Sequence, residues 1–409
     1  MRVHDEPLRS GSCVTWPLVR AALVVLASAY FATWVFLLTR PGLVDPGGNR
    51  VGSDFAAFYG VSRALLDGVP ASVLYEPEAL NAAVAPYTNG KAYLWLYPPT
   101  AFLPYWQIGR LPYLAALASW FVVWLALGLA AVWRVLPGSR ALAAAALFPP
   151  VFVTSLHGHN SVLLAACGGW GLVLLPARPF AAGLLLGALT LKPHLALLVP
   201  VALAVSGRWR ALFGAGASFL GLTALSLALF GRDAFAAFLR SSDLARSMLE
   251  QGSVPHHKIA SAFSAVRVLG GGVPMAYLVQ AVVTAATGIA IIALWRSRAP
   301  YAVKAAGLAI GTALATPYVY DYDLCLAGLG LAFLASAANA TGWLHWEKTA
   351  IAAAWLLPLV GRFLARAQVP LVPVLLALVL LLIVRRAFAR NAPSQAGGRA
   401  LAAVVPPGV

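Results

Sequence analysis

Asp54 stands in Gly52-Ser53-Asp54-Phe55, and only a few other ionisable clusters interrupt a chain that is otherwise strongly apolar. His157-Gly158-His159-Asn160 and Lys192-Pro193-His194 each fall between two short apolar runs. Asp243, Glu250, His256, His257 and Lys258 share one polar segment, and Tyr318-Val319-Tyr320-Asp321-Tyr322-Asp323 follows a later apolar run. An ionisable side chain near membrane depth costs about 2.5–3.5 kcal/mol on insertion scales, so its retention points to function. A carboxylate that can take a proton, set among cations and imidazoles in a groove, suits transfer of a group from a lipid-linked phosphate. A carboxylate of this set would deprotonate an acceptor hydroxyl as general base. Lys192 and His194, with His256, His257 or Lys258, would hold the departing phosphate and stabilise its charge. His159, Asn160, Tyr97 and Asp323 would line the sugar or acceptor pocket.

Each of these residues also has a purely structural use. Lys192 follows an apolar run and can cap carbonyls or snorkel. The His157–Asn160 apex can be an ordinary turn with hydrogen-bonded imidazoles. Asp321 and Asp323 can serve as helix N-caps, and Asp54 can cap the amphipathic stretch behind it. Convergence of the clusters on one side of the membrane favours function over these uses. No GxxxxGK[ST] loop, HExxH pair or cage of Asp, Asn and Glu is present, so neither a cofactor nor a metal is expected. Dependence on a divalent cation stays open. Cys13, Cys167 and Cys325 lie far apart and read as packing residues.

The elements that must position these groups follow from composition. Of 409 residues, 61% are hydrophobic and 10% charged, far below the roughly 25% charged of soluble domains. The mean hydropathy is +0.81. A soluble globular or disordered chain is excluded, and an all-α polytopic membrane protein is expected. The formal net charge of +16 does not indicate nucleic acid, because the basic residues punctuate apolar runs rather than gather on one surface.

About twelve crossings are expected, near 18–38, 111–133, 140–156, 161–176, 180–191, 194–206, 211–231, 273–295, 300–317, 323–339, 349–365 and 370–384. Several central runs are shorter than a full span, which requires protein or a water-filled cavity around their ends. The first run reads as a retained anchor rather than a signal peptide. With residues 1–17 cytoplasmic, sixteen of the 29 basic residues but only three of the 13 acids fall inside, as the positive-inside rule requires. Arg362 and Arg366 fall outside against it. Two long outside segments, 39–110 and 231–272, flank the core of a membrane domain at 18–390. Phe55–Leu66 and Pro77–Ala85 are amphipathic enough to lie as interfacial helices, and Tyr93, Trp95 and Tyr97 suit an aromatic belt. The Ala/Gly/Pro-rich tail at 391–409 is expected to be a disordered cytoplasmic segment.

The ordered motifs between residues 50 and 330 resemble glycosyltransferase family 87, a branch of the membrane GT-C superfamily that includes polyprenol-phosphate-mannose-dependent mannosyltransferases. The resemblance rests on Asp54 in GSDFAAFYG with Tyr59 following, Leu96-Tyr97-Pro98-Pro99, Gly158-His159-Asn160, and Leu191-Lys192-Pro193-His194 followed by Gly207-Arg208-Trp209-Arg210. Ser261-Ala262-Phe263, Arg267-Val268-Leu269-Gly270, Thr316-Pro317-Tyr318 and Tyr322-Asp323-Leu324 complete it. The resemblance implies a GT-C-type bundle with a long first extracytoplasmic loop, and it puts Asp54 in the place of the family's catalytic aspartate. It also implies a polyprenyl-phosphate-linked sugar donor, with a lipid or glycan acceptor.

The chain departs from the family pattern in having His159 where Gln is frequent. It also offers Tyr320, Asp321 and Asp323 where a late histidine is found, so mannose and arabinose both remain open. With Tyr59, these residues join the expected sugar or acceptor pocket. The expected setting is a bacterial inner membrane, with both termini cytoplasmic and the site extracytoplasmic. Membrane lipids are the other expected partners. The rival reading is a secondary transporter or flippase, whose broken helices would surround a midplane site.

Overall fold

The computed structural model describes residues 14–388, so Cys13, most of the expected N-terminal segment at 1–17 and the whole tail at 391–409 lie outside the described residues. The chain folds into helices α1 (Trp16–Leu38), α2 (Ser53–Leu66), α3 (Pro77–Thr88), α4 (Tyr113–Val135), α5 (Ser139–Ala146) and α6 (Pro149–His157). There follow α7 (Ser161–Leu174), α8 (Pro179–Gly187), α9 (Pro193–Ala196), α10 (Leu198–Val205), α11 (Trp209–Gln251) and α12 (Ala262–Val268). The last five are α13 (Val273–Arg296), α14 (Tyr301–Leu314), α15 (Cys325–Thr341), α16 (Glu347–Arg366) and α17 (Leu371–Phe388).

Among the described residues, seven helices are long and apolar enough to cross a membrane, or eight if the bent α5–α6 pair is one span. Four more of the twelve expected crossings coincide with shorter apolar helices, Ser161–Leu174, Pro179–Leu191, Pro193–Val205 and Tyr301–Leu314, which fall short of a full span. With 14 residues each, α7 and α14 reach only about 21 Å, short of the roughly 30 Å hydrocarbon core. Both are largely buried, so protein rather than lipid covers their ends. Those short ends open the polar site: α7 begins just after His159, and the chain beyond α14 runs into Tyr318–Asp323.

In the outside segment expected over 231–272, the chain is helical up to Gln251 and again over Ala262–Val268. Gly231 takes φ 76° and ψ 164°, a conformation favouring glycine, so α11 kinks there and continues to Gln251. Helices α8 and α11 meet through small residues. A side chain at Gly183 would overlap the Ala211 carbonyl, and one at Gly214 the Phe180 carbonyl. This close approach is the small-residue packing that membrane helices use where no hydrophobic force drives them together. Gly183→Val is therefore expected to cost about 1–3 kcal/mol or more through overpacking. The check is the yield of monodisperse protein on size exclusion, and wild-type yield would contradict the contact.

The α16–α17 hairpin is pinned at one end by a buried pair. Arg386 reaches Glu347 through Nε at 2.6 Å and Nη2 at 2.5 Å, and it also donates to Thr341 Oγ1 and the Gly342 carbonyl. Arg362 and Arg366 lie at the other end of α16. On the opposite flank, the Tyr30 and Phe152 rings stack at 3.6 Å and fasten α1 to α6. This contact supports the turn that carries the first site residues.

Candidate active site

Asp54 sits in the first turn of α2, and the N-cap there is Gly52 at φ 73°, so the carboxylate is not the cap. Tyr113 Oη donates to the Val51 carbonyl at 2.6 Å, the Gly52 amide donates to the Leu156 carbonyl at 3.0 Å, and Ser53 Oγ lies 2.7 Å from His157 Nδ1. Gly158 ends α6 at φ 64°, and any side chain there would strike Phe55. The α6–α7 apex can therefore lie directly against α2. Asp54 faces a cavity of about 450 Å³, within the range of small-molecule sites, which is about 300–1,000 Å³. Its carboxylate makes no hydrogen bond among the described residues. Burial pushes it above the ordinary carboxylate range, opposed by the charges of His157, Lys192 and Arg362.

The floor of the cavity is a continuous polar chain. Lys192 Nζ donates to Asp323 Oδ1 at 2.6 Å, and both side chains are buried. Ser161 Oγ donates to the same oxygen at 2.8 Å, while the Tyr320 amide donates to Asp323 Oδ2 at 3.1 Å. With its only proton given to Asp323, Ser161 Oγ must accept from His159 Nδ1, 2.9 Å away. His159 Nε2 is then bare and accepts from Tyr97 Oη at 2.9 Å. Burial, followed by the Lys192 charge, holds His159 well below its ordinary value, in keeping with a neutral ring. Tyr97 is thus fixed as a donor toward His159, and the lone pairs left on its oxygen are available as acceptors. Replacing Tyr97 by Phe leaves the buried His159 Nε2 with only the Lys192 ammonium, 3.5 Å away, and is expected to cost about 1–3 kcal/mol. An unchanged melting temperature would contradict this arrangement.

Aromatic rings shape the walls. The Tyr322 ring stacks on His159 at 3.9 Å, Tyr320 stacks on Tyr322 at 5.0 Å, and His194 meets Tyr318 edge-on. His194 Nε2 has no hydrogen-bond partner among the described residues, and burial lowers its pKa to about 4, so the ring is neutral.

The structure divides the residues singled out from sequence. Asp54, Tyr97, His159, Lys192, His194 and Tyr320 line one cavity, with Asp323 beneath Lys192. Asn160 is buried beside His159 without lining the cavity. Tyr59 points away, its hydroxyl donating to the Leu111 carbonyl at 2.8 Å and its ring packed on Tyr87 and Tyr113. Asp321 also lies outside the cavity, bound by Arg362. His257 and Lys258 line a separate hollow with Asp321, while His256 packs against Phe263. Lys192, expected to hold a phosphate, already has a carboxylate on its ammonium.

Tyr93, Trp95, Tyr318 and Tyr322 line the cavity without having been singled out for it. The cluster of Tyr318, Tyr320 and Tyr322 was the available signal: Tyr318 and Tyr320 lead up to a 3-10 turn, Asp321–Leu324, which carries Tyr322. Asp321, at the start of that turn, is drawn away by Arg362. Among the described residues, no three His, Cys, Asp or Glu side chains converge as a metal site would need.

No curated protein and no solved structure matches the chain. The family model for glycosyltransferase family 87 matches residues 95–317, just over half of it, spanning Tyr97, His159, Lys192 and His194. Asp54 precedes the matched region and Asp323 follows it. The chain belongs to glycosyltransferase family 87 and is a polytopic membrane glycosyltransferase.

Proposed function

We propose that the protein moves a sugar of the mannose or arabinose class from a polyprenyl-phosphate donor to a hydroxyl of a lipid or glycan acceptor. In this reading the reaction takes place at the extracytoplasmic face of a bacterial inner membrane. Asp54 removes the acceptor proton, the acceptor oxygen bonds to the anomeric carbon, and the bond from that carbon to the phosphate oxygen breaks. Polyprenyl phosphate leaves with the electron pair.

The observation that carries this reading is an unpartnered carboxylate with a raised pKa, facing a cavity whose other ionisable groups are neutral or paired. A carboxylate with a raised pKa is a stronger base than an exposed one and better able to take a proton from an acceptor hydroxyl. Tyr97, Tyr320 and Tyr322 offer flat faces and hydroxyls for a sugar ring, and His194 offers a neutral ring nitrogen. Asp323, acting through Ser161, fixes the tautomer of His159 and thereby the direction of the Tyr97 hydroxyl.

Family membership speaks against the transporter alternative, and a direct comparison tests it. Purified protein in detergent should attach one sugar to an acceptor from polyprenyl-phosphate-mannose or polyprenyl-phosphate-arabinose. Substrate flux in sealed vesicles without transfer in detergent would sink the proposal.

A further inference from the structure

A second polar cluster lies beside the cavity, where the turn His256–Lys258 meets the end of α16. Arg362 donates to Asp321 Oδ1 at 2.7 Å through Nη2, with Nε against the other oxygen, so that arginine is neutralised. Arg366, one turn further along α16, donates from Nε to His257 Nε2 at 3.1 Å. His257 accepts there and cannot also carry a proton on that nitrogen, so it adds no charge. Lys258 and Arg366 have no carboxylate within ion-pair distance among the described residues. The cluster therefore keeps two uncompensated positive charges.

Apart from His257 and Asp321, its surroundings are apolar. Lys258 and Arg362 line a small hollow with Pro358, Ala365, Pro370 and Val372, between α16 and α17. Phe363 and Leu371 stand exposed nearby, at 66% and 42%. These cations also sit at the end of α16 opposite the Arg386–Glu347 pair, against the positive-inside distribution of the rest of the chain. Orientation in the membrane therefore does not account for them, and neither do ion pairs inside the protein. A free soluble anion would gain nothing from the apolar wall, whereas an amphiphile with an anionic head gains from both parts.

We propose that Lys258, Arg362 and Arg366 form a binding site for the phosphate headgroup of a membrane lipid lying against α16 and α17. The site adjoins the cavity through one backbone layer. The Ala260 amide donates to the Val319 carbonyl at 2.7 Å, Ile259 pairs with Tyr320, and Asp321 stands between the cavity-facing Tyr320 and Tyr322. A lipid held there would bear on the same segment that shapes the cavity. Two lipids share the required chemistry, an isoprenyl phosphate and an anionic glycerophospholipid. The proposal rests on the membrane setting and not on the assignment of Asp54.

The test is native mass spectrometry of the purified full-length protein. The probes are a short-chain isoprenyl phosphate, phosphatidylglycerol, zwitterionic phosphatidylcholine and inorganic phosphate. Each basic residue near an anionic lipid contributes about fivefold, so the Lys258→Gln/Arg366→Gln double variant should bind an anionic lipid about 25-fold more weakly. Phosphatidylcholine adducts should be unchanged, and Asp54→Asn should bind like wild type. Weakening for isoprenyl phosphate alone assigns the site to a donor-type lipid, and weakening for phosphatidylglycerol alone assigns it to the bulk membrane. Unchanged binding of both lipids in the double variant overturns the proposal. So does inorganic phosphate binding as tightly as the lipids. Because transfer is not the readout, failure of the Asp54 assignment would appear separately, as wild-type turnover in Asp54→Asn.

Discussion

Asp54→Asn is expected to lower sugar transfer by about 10²–10⁴-fold, the usual contribution of a positioned general base. The substitution keeps the shape of the side chain and removes only its ability to take a proton. Its effect on folding should run the other way. Burial raises the Asp54 pKa, so the folded state holds its proton more tightly than the unfolded chain does. Whatever stability this carboxyl contributes is therefore present below the ordinary carboxylate pKa of about 3.9 and is lost as pH rises through the raised value. Asparagine never ionises, so the variant should melt at or above the wild-type temperature at neutral pH. Wild-type transfer should in turn fail on acidification at a pH above the ordinary carboxylate range, because the base must be deprotonated to act. Two measurements check this together, melting temperature and the pH profile of kcat/KM. A variant that lost activity only because it lost stability would contradict the assignment.

Lys192→Met should be the most damaging single change to the fold of the site. It leaves the fully buried Asp323 carboxylate without its cation, which costs about 3–5 kcal/mol for a broken buried pair. Asp323 would keep its bonds from Ser161 and the Tyr320 amide, but these do not neutralise its charge. Lys192→Met/Asp323→Asn removes both charges, and the amide oxygen can still accept from the Tyr320 amide while the Ser161 hydroxyl turns to accept from the new NH2, so most of the lost stability should return. Melting curves of the two singles and the double give the coupling energy directly. If the double variant were as unstable as the sum of the singles, the two residues would not be acting as a pair. The same series separates structure from phosphate binding, since a lysine serving only a donor phosphate would leave the melting temperature unmoved.

The long spans were readable because some twenty apolar residues in a row have few other uses. Helices α1, α4, α13, α16 and α17 start within two residues of the expected positions. In the middle of the chain, runs such as 161–176 and 180–191 make helices too short to span alone. Hydropathy reports that a segment is buried, not whether lipid or protein buries it. Gly231, read as the end of a crossing, is where α11 breaks, and the amphipathic stretch behind it continues as helix to Gln251.

The chemistry of the site was legible because charge is rare in this chain, so His159, Lys192 and Asp54 stand out by type. Their partners were not. Lys192 and Asp323 are 131 residues apart, and Asp321 and Arg362 are 41 apart, so only tertiary packing brings them together. Tyr59 could have been placed from periodicity alone. Five residues after Asp54 lies about 140° around the helix, whereas Ala57, Phe58 and Val61 share the Asp54 face and line the cavity.

The central claim is that the Asp54 cavity receives the sugar of a lipid-linked donor, and an experimental structure with such a donor bound tests it most directly. The expected result is a sugar ring between Tyr97 and Tyr320, with the acceptor side of its anomeric carbon open to the Asp54 carboxylate. A donor whose sugar lies outside this cavity, beyond the reach of Asp54, would contradict the account.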